Sequence, residues 1–132
     1  MKRKDYRKKY GCTTVKQRST CPTHNKAMTL HQTKYGFLWV CDMDGCQMKC
    51  WDNPTSLPGT KADYRARNEA HKQFDQLWIK GGIKRNKAYH LLAEFMNLPR
   101  KKTHIGMFDA AQCVMVFEFV KQFWEGKIKN TL

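Results

Sequence analysis

Acidic residues are scarce in this chain, and long apolar runs are missing. Only 11 Asp and Glu stand against 25 Lys and Arg, a net charge of +14. So one-sided a balance points to a polyanionic partner: nucleic acid, an acidic protein or an anionic membrane. No apolar run approaches the ~20 residues that span a bilayer, so no transmembrane helix is expected. The basic N-terminus lacks the apolar stretch of a signal peptide, and a cytoplasmic chain is the expectation. In that compartment thiols stay reduced. The six cysteines therefore read as metal ligands or core residues rather than disulfides. No internal repeat appears, and the 132 residues suffice for one compact domain or two small units sharing a core.

The charge that is present is unevenly placed. Residues 1–20 carry eight basic side chains and one acid, Asp5; residues 21–60 are balanced; residues 61–132 carry fourteen basic side chains and seven acids. The first segment has few apolar residues and no helical stripe, which predicts a flexible basic arm or a solvated tail. Residues 52–60, with two prolines and a glycine, predict a linker or tight loop.

Between them lies a metal-ligand pattern. Cys21-x2-His24 and Cys41-x4-Cys46 are two pairs separated by sixteen residues. Two intervening residues let a tight knuckle aim both ligands to one side. The sixteen-residue excursion carries Tyr35, Phe37, Leu38, Trp39 and Val40 around Gly36, the pattern of a β-hairpin. The hairpin returns the chain to the first pair, and Gly45 is expected to relieve crowding in the wider second knuckle. Three thiolates and one imidazole form a closed tetrahedral zinc set, so one structural Zn2+ is predicted. Cys50 is an alternative ligand for Cys46 or His24, and Cys12 is also available. Cys113 falls on an apolar helical face and reads as core.

Residues 61–132 predict three helices. The first runs from about Lys61 to Ile79 behind an N-cap at Thr60, with Ala66, Ala70, Phe74, Leu77 and Trp78 on one face. The second spans roughly Arg85 to Asn97, with Ala88, Leu91, Leu92, Phe95 and Met96 inward. The third begins at a capping box of Asp109 and Gln112. It is apolar on more than one side, which places it centrally or over the hairpin. The fold class is α+β: a zinc-ribbon hairpin over 21–51 packed with a three-helix region over 61–132. Leu92–Gly106 also faintly echoes a helix-turn-helix, although a helical hairpin with a basic loop is the simpler reading.

Several stretches carry a family resemblance: Cys21-Pro22, Trp39-Val40-Cys41, Cys50, Pro58-Gly59-Thr60 with Ala62, Ala70-His71, Phe74-Asp75, Leu77-Trp78, Arg85, Ala88-Tyr89, Leu92-Ala93, Pro99, His104-Ile105-Gly106, Phe108-Asp109 and Cys113. Over about residues 21–117 the chain resembles a zinc-finger-containing domain of bacterial and phage proteins whose role is undefined. The resemblance implies zinc and a phage or mobile-element setting, hence a host cytoplasm, but no reaction. Its members look like four-cysteine ribbons with two C-x2-C knuckles. Here His24 replaces a cysteine and the second knuckle is longer, and both departures still allow zinc.

The expected function is nucleic-acid binding, to DNA or RNA, as an accessory protein. Lys2, Arg3, Lys4, Arg7, Lys8 and Lys9 in the arm are the phosphate-contact candidates, with Lys84, Arg85, Arg100, Lys101 and Lys102 at the two ends of the second helix. Tyr6, Tyr10 and Trp51 are candidates for base stacking. A protein-interaction module engaging an acidic host protein is one alternative. A metal-dependent nuclease using His71 and His104, with Asp75 or Asp109, is the other. A closed zinc site offers no activated water, which weighs against the latter.

Overall fold

The computed structural model describes residues 13–129. The arm residues Lys2, Arg3, Lys4, Tyr6, Arg7, Lys8, Lys9 and Tyr10, and Cys12, lie outside the described residues. The chain is α+β. It runs α1 (Val15–Arg18), β1 (Thr20–Cys21), β2 (Lys26–Ala27), β3 (Thr29–Thr33), β4 (Gly36–Val40), β5 (Lys49–Trp51), α2 (Lys61–Ile79), α3 (Arg85–Met96) and α4 (Ala110–Trp124). All strand pairs are antiparallel.

The ribbon consists of two small sheets. β1 and β2 pair Thr20 with Ala27 and Cys21 with Lys26, forming the first knuckle. β3, β4 and β5 form the second sheet in that order, with Leu30 opposite Trp39 and Trp39 opposite Cys50. The hairpin turn is Lys34–Tyr35, where sequence places it. A small buried cluster of Cys21, Met28 and Cys41, edged by Trp39, Cys46 and Met48, is this unit's own core.

The helices form where capping and periodicity dictate. Thr60 caps α2, and Asp63 completes a capping box with it. Asp109 and Gln112 make the equivalent box at α4. Each box satisfies two N–H groups that a helix start leaves orphaned. α3 ends at Asn97, which takes the left-handed conformation that short polar side chains tolerate. The three helices enclose a core built on Phe74, Leu77, Leu92, Ile105, Phe108, Val116 and Phe119. Cys113 is fully buried in it, as predicted. α4 packs on α2 and α3, while Val114 and Met115 face outward. No helix begins at Lys101. Arg100–Lys102 and Ile105–Met107 are single 3-10 turns, so the helix-turn-helix echo is not realised.

Of two expectations about the connecting segments, one is corrected and the other is narrowed to one of its alternatives. The arm predicted over residues 1–20 does not extend to residue 20 among the described residues. Thr14 caps α1, Thr13 N donates to Pro54 O at 3.0 Å, and the buried Arg18 donates to Thr13 O at 2.7 Å and to Asp52 Oδ1 at 3.2 Å. Arg18 has hydrogen-bond acceptors within reach, which fixes what composition alone reads as loose. Residues 52–60 are likewise a packed loop rather than a linker. Ser56 is buried, and the backbones of Gly59 and Lys49 exchange hydrogen bonds.

Arg67 bolts this loop to the helices. Its buried guanidinium donates from Nε to Phe108 O at 2.6 Å and from Nη1 to Leu57 O at 2.9 Å. Leu57 N in turn donates to Gly106 O at 3.1 Å. A side chain at Gly106 would place its Cβ 2.8 Å from Thr55 O, which explains a glycine in the His104-Ile105-Gly106 stretch.

Candidate metal centre and the cleft beside it

The first knuckle turns at Asn25, whose φ of 52° lies in the left-handed region that asparagine tolerates. Asn25 N donates to Cys21 O at 2.7 Å, which closes the turn and brings His24 over Cys21. In the second knuckle Cys46 N donates to Met43 O at 3.0 Å. Gly45 serves this knuckle by its φ of 77°, not by relieving crowding, because nothing lies within 4 Å of where a Cβ would sit. β4 delivers Cys41 directly from Val40, and Cys41 N donates to Met48 O at 3.0 Å.

These turns bring Cys21, His24, Cys41 and Cys46 together, with all four ligand atoms within 4.8 Å of one another. Zn–S near 2.3 Å and Zn–N near 2.0–2.1 Å at tetrahedral angles require sulfurs about 3.8 Å apart and sulfur to nitrogen about 3.6 Å. The Cys21 and Cys46 sulfurs are 3.7 Å apart, and His24 Nδ1 lies 3.6 Å from the sulfurs of both Cys21 and Cys41. These separations are tetrahedral edges, and the donor set is a structural zinc set. Four protein ligands leave no open position for water, so the ion's contribution is structural.

The electrostatics of the cluster call for a cation. Burial works against a Cys21 thiolate, but the N–H groups of His24 and Thr23 and the His24 ring outweigh it and bring its pKa down to about 6. At Cys41 the N–H of Met43 favours the thiolate. Burial and the sulfurs of Cys46 and Cys21 overcome that and raise the pKa. One thiolate forms readily and opposes the next, an opposition that a divalent ion removes.

Cys50 is not a ligand in this arrangement. It is fully buried, its thiol donates to Arg18 O at 3.1 Å, and burial pushes its pKa up to about 12. Its place between Lys49 and Trp51 in β5 makes it a strand residue beneath α1. Among the described residues no other group of three metal-ligating side chains converges.

The phosphate-contact candidates separate into two places. Lys84 caps α3 with its side chain exposed, and Arg85 begins the helix. Lys101 and Lys102 are exposed at the far end and line a groove with Thr13, Gln17, Leu57 and Leu98. Arg100 departs from the group. Its guanidinium lies 4.7 Å from the Tyr89 ring centroid, Nη1 donates to Thr103 O at 3.1 Å, and burial lowers its pKa to about 10.

His71 and His104 do meet. They line one cleft of about 570 Å³ between the ribbon and the helices, together with Trp51, Asp52, Arg85 and Tyr89. His104 is buried, with its ring 6.3 Å from that of Tyr89. Burial, then the charges of Arg85 and Arg67, hold the His71 pKa down to about 4, so the ring is neutral at neutral pH. Asp75 lies one turn along α2 from His71, and burial raises its pKa. Neither Asp75 nor Asp109 lines the cleft. Sequence reading missed Tyr89 and Asn53 as cleft residues, and it missed Arg67. The signal for Arg67 was present: a charged residue standing in register with Ala70, Phe74 and Leu77 on the apolar face of α2.

Comparison with curated proteins and with solved structures finds no match to the chain. A family described as a zinc-finger-containing domain matches over residues 8–123. The match spans both the ligand cluster and the three helices, so the chain belongs to this family of zinc-finger-containing domains, and Cys21, His24, Cys41 and Cys46 fit a single structural zinc.

Proposed function

We propose that this protein is a zinc-stabilised nucleic-acid-binding accessory protein of phage or mobile-element type. The observation that supports this reading most is the net charge of +14, with Lys84, Lys101 and Lys102 exposed at the two ends of α3. Thr13, where the described chain begins, lines the same groove as Lys101 and Lys102. Lys9 stands four residues before Thr13, a reach of at most about 14 Å at 3.3–3.6 Å per residue. The arm's Lys2, Arg3, Lys4, Arg7, Lys8 and Lys9 precede Thr13 in the chain and are the further phosphate-contact candidates. The ribbon is balanced in charge and contributes the scaffold, held by zinc.

The test is binding of labelled DNA and RNA across a salt series. It compares the intact chain, a form lacking residues 1–12, and a Lys101→Gln/Lys102→Gln form. The cut falls before Thr13 because Thr13 and Arg18 belong to the folded unit. On duplex DNA each phosphate contact contributes about 0.9 to the log–log salt slope, so losing six contacts lowers it by about 5. The lysine pair should lower it by about 2 on the same basis. No binding at low salt by the intact chain would overturn the reading and turn attention to an acidic protein partner.

A further inference from the structure

The cleft shares no lining residue with the groove at Lys101 and Lys102, and its chemistry is of a different kind. One wall comes from the ribbon: Tyr35 and Phe37 of the hairpin and Trp51 of β5. Phe37 remains about half exposed and Tyr35 is 78% exposed, a large aromatic surface left facing solvent. The other wall comes from the helices: His71 of α2, Arg85 and Tyr89 of α3, and His104 from the loop before α4. Ribbon and helices are joined at this place by the Leu57–Gly106 hydrogen bond and the Arg67 bolt, so the cleft is a built feature of the fold.

Its polar groups select for an anion. Asp52 is the one carboxylate among the lining residues, and it is already engaged by Arg18 at 3.2 Å and by the Trp39 indole N–H at 3.1 Å. Asn53 Oδ1 accepts from the Thr55 N–H and hydroxyl. Arg85 is exposed but positioned, its guanidinium 5.6 Å from the Trp78 ring centroid and 5.1 Å from that of Tyr89. A guanidinium held in this way suits a phosphate, which it contacts through a planar fork of donors. His71 makes no hydrogen bond to another described residue, and as a neutral ring it can both donate and accept. A bare phosphate leaves the aromatic wall uncovered, and a purely apolar ligand makes no use of the exposed Arg85 guanidinium or the His71 ring.

We propose that this cleft takes one unpaired nucleotide of a single strand, its phosphate on Arg85 and its base against Trp51. The inference rests on the nucleic-acid reading above and adds a substrate class to it. The volume lies within the range of about 300–1,000 Å³ typical of small-ligand pockets. A base in a duplex is paired and stacked on both faces and cannot offer one to Trp51, whereas an unpaired base can. The cleft therefore discriminates single strands from duplexes, while the arm and Lys101–Lys102 bind either by charge.

The experiment uses the full-length zinc-loaded protein. Affinities for a labelled single strand and for its duplex are measured for the wild type, Trp51→Leu, Arg85→Gln and His71→Gln. Zinc content and thermal midpoint serve as fold controls. In parallel, backbone amide resonances are followed while a nucleoside monophosphate and, separately, inorganic phosphate are added. The expected result is a loss of about tenfold or more in single-strand affinity for Trp51→Leu with duplex affinity nearly unchanged, and for Arg85→Gln a larger loss on the single strand than on the duplex. The monophosphate should move resonances at Asn53, His71 and Gly106 at lower concentration than phosphate does. Equal losses on single strand and duplex, or a monophosphate that leaves the cleft resonances still, would overturn the proposal. If the protein binds nucleic acid while the cleft stays silent, the cleft assignment fails and the accessory-protein reading survives. If the monophosphate binds the cleft while no strand binds, the accessory-protein reading fails and the single-strand assignment fails with it, leaving a site for a free nucleotide.

Discussion

Replacing Cys41 with serine removes one of the three sulfurs from the metal centre, and the structure says where the damage stops. Apart from its ligands, the ribbon's own buried cluster contains Met28, with Trp39 and Met48 partly covered beside it. Burying a large apolar side chain contributes about 2 kcal/mol, so these three supply about 5 kcal/mol at most. A structural zinc ion supplies about 10–16 kcal/mol at neutral pH, which makes the ion the larger source of ribbon stability. The helical core is different. Phe74, Phe108, Phe119, Leu77, Leu92, Ile105 and Val116 are all fully buried there, and no metal ligand is among them. Cys41→Ser, or exhaustive chelation, is therefore expected to reduce zinc from one per chain to well below it and to unfold strands β1–β5. Helices α2–α4 should remain. Zinc release is measured with a colorimetric chelator, helix content by far-ultraviolet circular dichroism, and ribbon order by amide exchange. Loss of the helical signal in step with zinc would refute the reasoning, because it would make the ribbon and helices one cooperative unit. So would a fully protected ribbon in the metal-free protein.

Other perturbations follow from single contacts. Arg67→Met leaves the carbonyls of Leu57 and Phe108 without their buried donor and should cost about 2–4 kcal/mol in urea denaturation; an unchanged midpoint would remove Arg67 from its bolting role. Gly106→Ala forces Thr55 O away from a Cβ only 2.8 Å distant and should cost about 1–3 kcal/mol, read as a lowered thermal midpoint. Asp63 accepts from Thr60 N at 2.9 Å and from Ala110 N at 2.8 Å, so it serves the starts of two helices at once; Asp63→Ala should cost about 1–2 kcal/mol in the same assay. His71 has a pKa of about 4 in the folded chain against an ordinary 6.5. The unfolded chain therefore takes up the proton first, and stability is lost as pH falls from 6.5 toward 4. Between pH 7 and 5 the wild type should lose about 2 kcal/mol more than His71→Gln, a difference that cancels acid effects on the zinc ligands shared by both.

Much of this protein is determined locally and is legible in the sequence. The two capping boxes, the spacing of Phe74 and Leu77 on α2, and the turn between Thr33 and Gly36 depend on residues a few positions apart. Local sterics and hydrogen bonding favour them without help from distant segments. The zinc ligands are legible for a related reason, since a tight knuckle and a two-stranded return leave few ways to bring four donors together. Cys50 shows the limit of spacing: it stands only four residues beyond Cys46, yet its strand carries it under α1 to Arg18 O, where burial keeps it a thiol. Residues 13–18 were illegible because Arg18 finds Asp52 34 positions away in the chain. The cleft was illegible for the same reason. His71 and His104 are separable in sequence into a helix face and a loop, and neither implies the other. They share a cavity with Trp51 because Arg67 and Gly106 bind the 52–60 loop to the helices. The sequence by itself determined which segments become helix, hairpin and zinc knuckle, because those choices are made within a few residues. Only the tertiary structure decided which charges and rings face one another, because buried hydrogen bonds between distant segments set that geometry.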